Sequence, residues 1–540
     1  MCLYNGASMR ALLLCLLLAS GCDGEVAPDA GSDPVDAGAD DAGPGDAGPP
    51  IVDLCDPGAD PGPFPAPDAW APNRGPGGPS ATFEEGALYA NCAFLDGGEL
   101  DTSDHHNLVT MYDGYLLMPW APEYGSGGLT FWEFDDPCDP VVVGSGHSGS
   151  MRETHAIGFS QLDGRWAVVD QLGLALSEGR GGIQFWDVSD PTAPEAVRDL
   201  ELPGFVYPDA YARVTLSVFW QVPYVYVAGA DNGVYIVDAA NPRQPRFIGQ
   251  YVFDPILRVG QVQVIGNLLI ATAAEGPRTV LLDVSDPEDP QPLPGGDFLS
   301  TDGEGRAREA YFTNFVGGHV YYANKDGGGG LVVWDVRDPR APAYAGSHIS
   351  DGNGGYVFVQ HDLAFVGESR FAAIYDVSDL SNITEVTRLQ LEGDLDTVTP
   401  IGNVAVLSVD DDANPDQGSA VAPFATTPDA QGPAVRWTWP EDGATELRTT
   451  SRIGLSLDEL IDVRSAHEGS VRLYRSGADP GAGRVPAVVS AQEAIVNVHP
   501  RCALAPNTEY TVEVMAGGIV DFNGNAIAET ARFTFTTGPE

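Results

Sequence analysis

The stretch GGIQFWDVSDPTAP occupies residues 181–194, and five further parts of the chain repeat its pattern. Each copy has a short apolar run, then an acidic residue, then a turn that usually contains proline. A strand packed on both faces is typically a continuous apolar run, and Asp followed by Pro ends such a strand in a rigid turn. The other copies begin at Gly127, Asn232, Thr279, Gly329 and Phe371.

The spacing of the copies gives the size of one structural unit. The acidic positions are separated by 54, 51, 45, 52 and 41 residues along the chain. Hairpin turns such as Asp113-Gly114 and Gly317-Gly318 precede the repeat, and apolar runs such as residues 141–143 follow it. Four strands per unit at this spacing predict an all-β fold with the blades of a β-propeller. The marked acidic residues are Glu133, Asp187, Asp238, Asp283, Asp335 and Asp376.

A seventh unit lacks the repeated phrase but keeps its strands. Residues 395–400, 403–409 and 419–424 are expected to form its three inner strands, and residues 87–94, before the first repeat, its missing outer strand. Such a strand would close the ring and cover its open edges. We therefore favour a seven-bladed propeller over residues 81–424, with six blades as the alternative.

The residue pattern of the sequence changes after a linker at residues 425–433. Short alternating strands, among them residues 435–439, 471–474 and 510–514, fill the region 434–540. About a hundred residues of this pattern predict a β-sandwich of the Ig-like kind.

Two resemblances accompany these patterns. Tyr235-Ile236-Val237-Asp238 resembles the LVIVD repeat, a propeller family common in bacterial surface proteins. Residues 504–512 and 520–525 resemble the Ig-like domain of bacterial surface-layer and adhesive proteins. The second resemblance implies a spacer or binding module, and neither implies a particular activity.

The N-terminal residues resemble a bacterial lipoprotein signal. Arg10 precedes an apolar run at residues 11–19, which is too short to span a bilayer. Leu18-Ala19-Ser20-Gly21-Cys22 resembles a lipobox, which implies cleavage after residue 21 and lipidation of Cys22. An ordinary secretory signal is the alternative. Residues 22–80 are rich in Asp, Ala, Gly and Pro, and we expect them to form a disordered tether. We expect a protein anchored to a bacterial membrane, at the outer membrane or cell surface.

Charge and cysteine content indicate which partners, metal sites and disulfides to expect. The chain has 27 basic and 77 acidic residues and a net charge of -50, so nucleic acid is not expected as a partner. The cysteines beyond the signal form no CxxC pair, which argues against a zinc site. For an exported protein we expect one or two disulfides, with Cys92–Cys138 or Cys55–Cys92 as the first candidates.

Residues at the start of each blade's first strand are expected to surround the channel mouth, where propellers bind ligands. Counting back from each hairpin turn selects six polar residues, with Asp394 as an alternative for the last. They suit a pocket for a small anion, a substrate or a metal, and histidines with carboxylates can also act as acid and base. Polar lining of a solvated channel is the alternative. The six are His106, His155, Arg213, Arg258, Glu309 and Asp396.

One acidic loop resembles a calcium-binding loop. Asp410, Asp412, Asn414 and Asp416 place oxygen atoms at alternate positions. Pro415 stands where such a loop needs glycine, and a solvated loop is the alternative. Calcium is the one cofactor that the sequence suggests.

These patterns favour a lipid-anchored surface protein that uses its propeller as a platform for a protein or carbohydrate ligand. The alternative is a hydrolase or lyase with its active site at the channel mouth. The two differ in whether the polar residues converge within hydrogen-bonding distance.

Overall fold

A computed structural model describes residues 62–69, 78–98, 101, 105–122, 126–170, 181–204, 214–325 and 328–539. Over these residues the regular elements are 36 strands and three short 3₁₀ turns. The strands form nine four-stranded sheets. Seven sheets follow one another as propeller blades and the last two form a sandwich, so the expected all-β fold is confirmed.

Six blades are each built from four consecutive antiparallel strands. The first strand lies next to the first strands of the neighbouring blades and the fourth lies outermost. The repeated phrase is always the third strand, as expected. The strands are Thr110–Tyr112, Tyr115–Trp120, Gly127–Glu133 and Val141–Ser148 in blade 1; Ile157–Ser160, Trp166–Val169, Gly182–Asp187 and Glu195–Glu201 in blade 2; Ser217–Gln221, Tyr224–Ala228, Val234–Asp238 and Arg246–Tyr251 in blade 3; Val259–Ile265, Leu268–Ala273, Arg278–Asp283 and Gln291–Leu299 in blade 4; Glu309–Val316, His319–Lys325, Gly330–Asp335 and Ala343–Ile349 in blade 5; and Val357–Gln360, Leu363–Gly367, Ala372–Asp376 and Thr384–Leu389 in blade 6.

Blade 7 is assembled from both ends of the propeller sequence. Its inner strands are Thr397–Ile401, Val404–Ser408 and Ser419–Pro423, and its outer strand is Ala93–Leu95. Ala93 pairs with Val421 and Leu95 with Ser419 in an antiparallel register. The expectation of seven blades closed by an N-terminal strand is confirmed.

A disulfide fastens the same seam. Cys92 immediately precedes the closing strand, and it is bonded to Cys138 in the turn before the last strand of blade 1. The bond therefore joins blade 7 to blade 1 covalently. Of the two candidate pairings, Cys92–Cys138 is confirmed. Cys502 is also disulfide-bonded.

The acidic residues of the repeat cap its turn. In the second copy, Asp187 Oδ1 accepts a hydrogen bond from the Ser189 amide at 3.0 Å, and Asp190 Oδ1 accepts one from the Thr192 amide at 2.9 Å. In four further copies the residue at the place of Asp187 accepts the same bond from the amide two residues on. In all five other copies the residue at the place of Asp190 does so. Short polar side chains that bond the backbone two residues on fix a turn, which explains why the phrase recurs with so little change.

The C-terminal region is a sandwich of two four-stranded sheets, as expected for an Ig-like domain. Apart from one parallel pair, all neighbouring strands are antiparallel. Two strands, Ala444–Leu447 and Ala487–Gln492, were not predicted. In sheet order the strands are Val435–Trp439, Ile453–Leu457, Ile495–Pro500 and Ala487–Gln492 in one sheet, and Ala444–Leu447, Ala531–Thr537, Glu509–Val514 and Val471–Arg475 in the other.

The sandwich is docked on the propeller face formed by the turns between first and second strands. In blade 1, Asp462 accepts hydrogen bonds from the amides of Asp113 and Gly114 at 3.1 and 2.7 Å. Every blade contributes to this interface. One contact from each of the other blades is Gln161 to Arg464, Val222 to Ser490, Gly266 to Asn497, Gly317 to Ser456, His361 to Asp458 and Gly402 to Asn523.

Three loops of the sandwich close the channel at this end. Leu460, the hairpin tip Gln492-Glu493 and Phe522 line a cavity of about 40 Å³ together with inner strands of the propeller. Glu493 accepts hydrogen bonds from Gln263 and Asn314 at 2.7 and 2.8 Å. The sandwich is thus a plug for the channel as well as a neighbouring module.

The N-terminal region differs in part from the expected tether. Residues 62–69 lie against the sandwich, where the Phe64 ring sits about 5 Å from the guanidinium groups of Arg472 and Arg484. Cys22 and the expected signal sequence lie outside the described residues. In the part of the chain that is described, no helix is both long and apolar enough to cross a bilayer.

Removal of the seam disulfide is expected to destabilise the closed ring. For a loop of 46 residues, chain entropy in the unfolded state corresponds to a stabilisation of about 2–4 kcal/mol. Cys92→Ala combined with Cys138→Ala should therefore lower the midpoint of urea unfolding relative to the oxidised wild type. An unchanged midpoint would mean that strand pairing alone keeps the ring closed.

Glu493 makes stability at the plug dependent on pH. Burial raises the pKa of its carboxyl from 4.5 to about 7, although Gln263 and Asn314 oppose the shift. The folded state binds this proton more tightly than the unfolded state, so the stabilisation is complete below about pH 4.5 and is lost as the pH rises through 7. Glu493→Gln keeps the accepting oxygen without the charge. We expect unfolding at pH 8 to cost on the order of 1–3 kcal/mol more in this variant than in the wild type, with no difference at pH 4.5. A pH-independent difference would contradict this explanation.

Candidate functional site

The two predicted histidines lie on adjacent blades but have different surroundings. His106 is fully buried at the seam of blades 1 and 7, where its ring nitrogens contact Asp101 Oδ2 at 2.6 Å and Ser419 Oγ at 2.8 Å. These partners hold the closing region together. His106 is thus placed as a structural residue of the seam, while its neighbour His105 faces the channel mouth.

At the channel mouth, imidazoles and carboxylates alternate in a row that we call the mouth cluster: Asp170, His155, Glu153, His105 and Asp410. Asp170 Oδ2 lies 3.3 Å from His155 Nδ1, and Glu153 Oε1 lies 2.6 Å from His155 Nε2. The same Glu153 oxygen is 3.8 Å from His105 Nε2, which is 2.7 Å from Asp410 Oδ1. The row joins blades 1, 2 and 7.

Backbone contacts fix the orientation of the row. Asp170 Oδ1 accepts hydrogen bonds from the amides of His155 and Ala156 at 2.9 and 3.0 Å. With Asp170 held in this way, His155 Nδ1 faces Asp170 and His155 Nε2 faces Glu153. A metal-ligating or substrate-binding carboxylate is often oriented by such an outer hydrogen bond, and here Glu153 is the oriented group.

The cluster is charged at neutral pH. Burial disfavours the imidazolium form, but the carboxylates outweigh it and raise the pKa of both His105 and His155 to about 10. Burial also opposes ionisation of Glu153, yet the two histidines hold the pKa of its carboxyl well below its usual range. Positive and negative groups thus stabilise one another in a poorly hydrated site.

Aromatic rings pack beneath the mouth cluster and fill the axis of the propeller. The Phe312 ring lies between His155 and Tyr356, with centroid separations of 5.2 and 4.1 Å. Tyr311 packs beside it, and Lys325 Nζ lies 4.1 Å from the centroid of the Tyr311 ring. Since Phe312 and Tyr356 are buried, the channel is packed with side chains at this level. Any ligand of the cluster would have to reach it from the mouth.

Asp396, another predicted residue, is buried beside these aromatic rings. Burial and the charge of Asp394 raise the pKa of its carboxyl well above its usual range, although Lys325 opposes the shift. Lys325 is the single lysine of the chain. The structure therefore places a lysine beside the buried carboxyl group on this face.

The remaining channel candidates are not brought into the mouth cluster. Arg258 Nε pairs with Asp231 Oδ1 at 2.9 Å, and its Nη1 lies 3.8 Å from Glu275. Glu309 begins the first strand of blade 5, with its Cα opposite that of Lys325. Arg213 lies outside the described residues.

The expected calcium loop connects the second and third strands of blade 7, and its four residues diverge. Asp410 joins the mouth cluster, while the Asn414 amide donates to Glu392 Oε2 at 2.7 Å. Asp412 and Asp416 are exposed. Among the described residues, neither of them belongs to a set of three close acidic, histidine or cysteine ligand atoms.

Three ligand atoms of the mouth cluster are close enough to share one cation. Those of His105, Glu153 and Asp410 all lie within 4.8 Å of one another. Ligands about one divalent ion are separated by at most ~4–5 Å, since each bond is ~2.0–2.4 Å long. One nitrogen and two carboxylate donors suit Zn²⁺ or Mn²⁺. The arrangement has the donor atoms and the spacing of a metal site.

The sequence patterns did not identify His105, Glu153, Asp170 or Lys325. Glu153 and His155 do stand two residues apart, which in an extended segment puts both side chains on one face. That spacing was the available indication for Glu153. Asp170 directly follows the second strand of blade 2, and Lys325 ends the second strand of blade 5. The count along first strands did not include these positions.

Comparisons with known proteins agree with the two-part architecture. Residues 223–252 match the LVIVD repeat, and residues 429–537 match the bacterial Ig-like domain. The chain carries both modules. No curated protein sequence matches it.

Among solved structures, the periplasmic gluconolactonase PpgL of Pseudomonas aeruginosa is similar over 64% of this chain and 98% of its own, with 12% identity and a TM-score of 0.45. BamB of Moraxella catarrhalis is similar over 58% of this chain and 92% of its own, with 11% identity and a TM-score of 0.36. Likeness at this level carries no information about activity.

Proposed function

We propose that this protein is an exported, lipid-anchored bacterial surface protein whose propeller binds a ligand at the channel mouth through a divalent cation. His105, Glu153 and Asp410 would hold the cation. The observation that carries the proposal is the convergence of these three ligand atoms from three different blades within 4.8 Å.

The surroundings of the three residues support a binding role. His155 and Asp170 orient Glu153 from behind, as outer-sphere groups do for metal ligands. Asp410 keeps 23% of its side chain exposed, whereas His105 and Glu153 keep less than a tenth. A cation here would be enclosed on the protein side and accessible on the Asp410 side.

The chemistry of the ligand follows from the free coordination positions. Three protein ligands leave room for one or more further oxygen atoms on a divalent ion. Hydroxyl or carboxylate oxygens of a carbohydrate, or acidic side chains of a partner protein, would fill them. The proposal thus gives the expected protein or carbohydrate ligand a point of attachment.

A catalytic role is less well supported by the same geometry. A general base works best with a pKa near the operating pH, whereas the pKa of both His105 and His155 is about 10. In the metal-free site these imidazoles hold their protons and serve as charge partners, and a bound cation would displace the proton from His105. We therefore favour binding over hydrolysis or lyase chemistry.

Glu153→Gln should abolish or strongly weaken the proposed cation site. The amide keeps the size of the side chain but removes the charge and one strong ligand, so the Kd for Mn²⁺ should rise at least ~10-fold. Isothermal titration at pH 7.5 measures it. Asp412→Asn, in the exposed part of the blade 7 loop, is the matched control and should bind as the wild type does. Equal affinity in Glu153→Gln and wild type would overturn the proposed site.

Cys22→Ser tests the anchor independently of the ligand. Without the thiol no acyl chains can be attached, and each buried methylene contributes ~0.8 kcal/mol to membrane binding. The variant should move from the membrane pellet to the soluble fraction after cell lysis, with its propeller still folded. Persistent membrane association would contradict lipid anchoring at this residue.

A further inference from the structure

A second group of ionisable side chains lies at the opposite end of the channel, between propeller and sandwich. We call it the interface cluster: His361 from the first turn of blade 6, Asp429 from the connecting segment, and Asp458, Glu459 and Asp521 from the sandwich. His361 Nε2 lies 3.0 Å from Asp429 Oδ2 and 3.5 Å from Glu459 Oε1. His361 Nδ1 lies 4.0 Å from Asp458 Oδ2.

Glu459 is the centre of this cluster. It belongs to two overlapping sets of ligand atoms, each within 4.8 Å: one with His361 and Asp458, the other with Asp429 and Asp521. One imidazole and four carboxyl groups therefore surround a single region. Part of the set is oxygen-rich, which suits hard divalent cations.

The Oε1 atom of Glu459 is buried without the hydrogen bond that burial normally demands. Glu459 is 2% exposed, and among the described residues its Oε1 accepts no hydrogen bond. His361 Nε2 points to Asp429 instead, and His361 Nδ1 also has no hydrogen-bond partner there. A buried carboxylate oxygen left in this state costs ~1–3 kcal/mol or more, so these orphaned atoms indicate a missing ligand.

The other carboxylates are held in place by groups outside the cluster. The amides of Asn523 and Asn525 donate to Asp521 Oδ1 at 2.8 and 2.7 Å. The Ala434 amide donates to Asp458 Oδ1 at 2.7 Å, and Arg436 Nε donates to Asp458 Oδ2 at 2.9 Å. The ligand atoms are thus positioned in advance by the turn and strand that carry them.

The charge balance also calls for a cation. Four carboxyl groups lie around the His361 imidazole, and Arg436 pairs with one of them, Asp458, at 2.6 Å. Carboxylates this close repel one another unless a cation lies between them.

We infer that the interface cluster is a divalent-cation site, for Ca²⁺ or Mn²⁺, that latches the sandwich to blade 6 of the propeller. Its ligands come from three separate parts of the chain: the propeller, the connecting segment and the sandwich. A cation there would bridge all three. The site is distinct from the mouth cluster, which lies at the other end of the channel.

Counting bound Mn²⁺ ions in the wild-type protein and its variants tests the inference. With the metal-free protein we expect two ions per wild-type chain by titration calorimetry. Glu459→Gln should retain the mouth site alone and Glu153→Gln the interface site alone, one ion each. Glu493→Gln, which lies at the same interface outside the cluster, is the matched control and should retain both.

Thermal unfolding gives a second readout, because it measures whether the bound cation stabilises the fold, which the number of bound ions does not show. Ca²⁺ should raise the unfolding temperature of the wild type and of Glu153→Gln, but not that of Glu459→Gln. Should Glu459→Gln fail to fold, Asp521→Asn replaces it, with circular dichroism to confirm the fold.

The outcomes separate the two sites. If Glu459→Gln and Asp521→Asn bind as many ions as the wild type, the interface site is wrong. If the wild type binds one ion that Glu153→Gln loses, the interface site is again wrong while the mouth site stands. If one ion remains in Glu153→Gln and none in Glu459→Gln, the interface site stands and the mouth site is wrong.

Discussion

The pairing of Ala93–Leu95 with Ser419–Pro423 is the constraint on which the rest of the structure depends. Each blade has two apolar faces, and both are covered only when the neighbours on either side are present. A ring left open at one blade would expose a strand edge and two apolar faces together. Three residue pairs and one disulfide therefore protect the packing of all seven sheets.

A closed ring still has a channel, and the two ends of this channel are finished differently. At one end the sandwich places Leu460, Gln492, Glu493 and Phe522 against the inner strands. At the other end, charged side chains from blades 1, 2 and 7 meet above a floor of aromatic rings. The sandwich thus covers one end of the channel and leaves the mouth cluster at the other end.

The fold was largely predictable because its information is local and repeated. Six copies of one strand and turn fix the blades, and the apolar run before the first repeat identifies the closing strand. Ala444–Leu447 and Ala487–Gln492 escaped prediction because Ala, Ser and Glu carry little strand preference. Their place in the sandwich comes from their neighbours, which a single sequence does not display.

The site was less predictable because its information is non-local. A count along first strands selected His106, but adjacent residues of an extended segment face opposite sides, and His105 is the one that meets Glu153. Asp410 was predicted as part of a calcium loop, yet its partner His105 lies about three hundred residues earlier in the chain. The sandwich docks through backbone amides of turns, such as those of Asp113 and Gly114. Any turn sequence provides amides, so the sequence does not indicate which turns the sandwich contacts.

The position of Cys92 has a mechanical consequence. Tension applied from the N-terminal side of the propeller reaches Cys92 before it reaches Ala93–Leu95, and the disulfide passes the load to Cys138 in blade 1. A three-residue strand pulled from its end would otherwise unzip one pair at a time, which requires little force. Because the disulfide transmits the force, blade 1 carries the tension and the closing strand carries none. The ring is thus shielded from peeling by a pull on its N-terminal side.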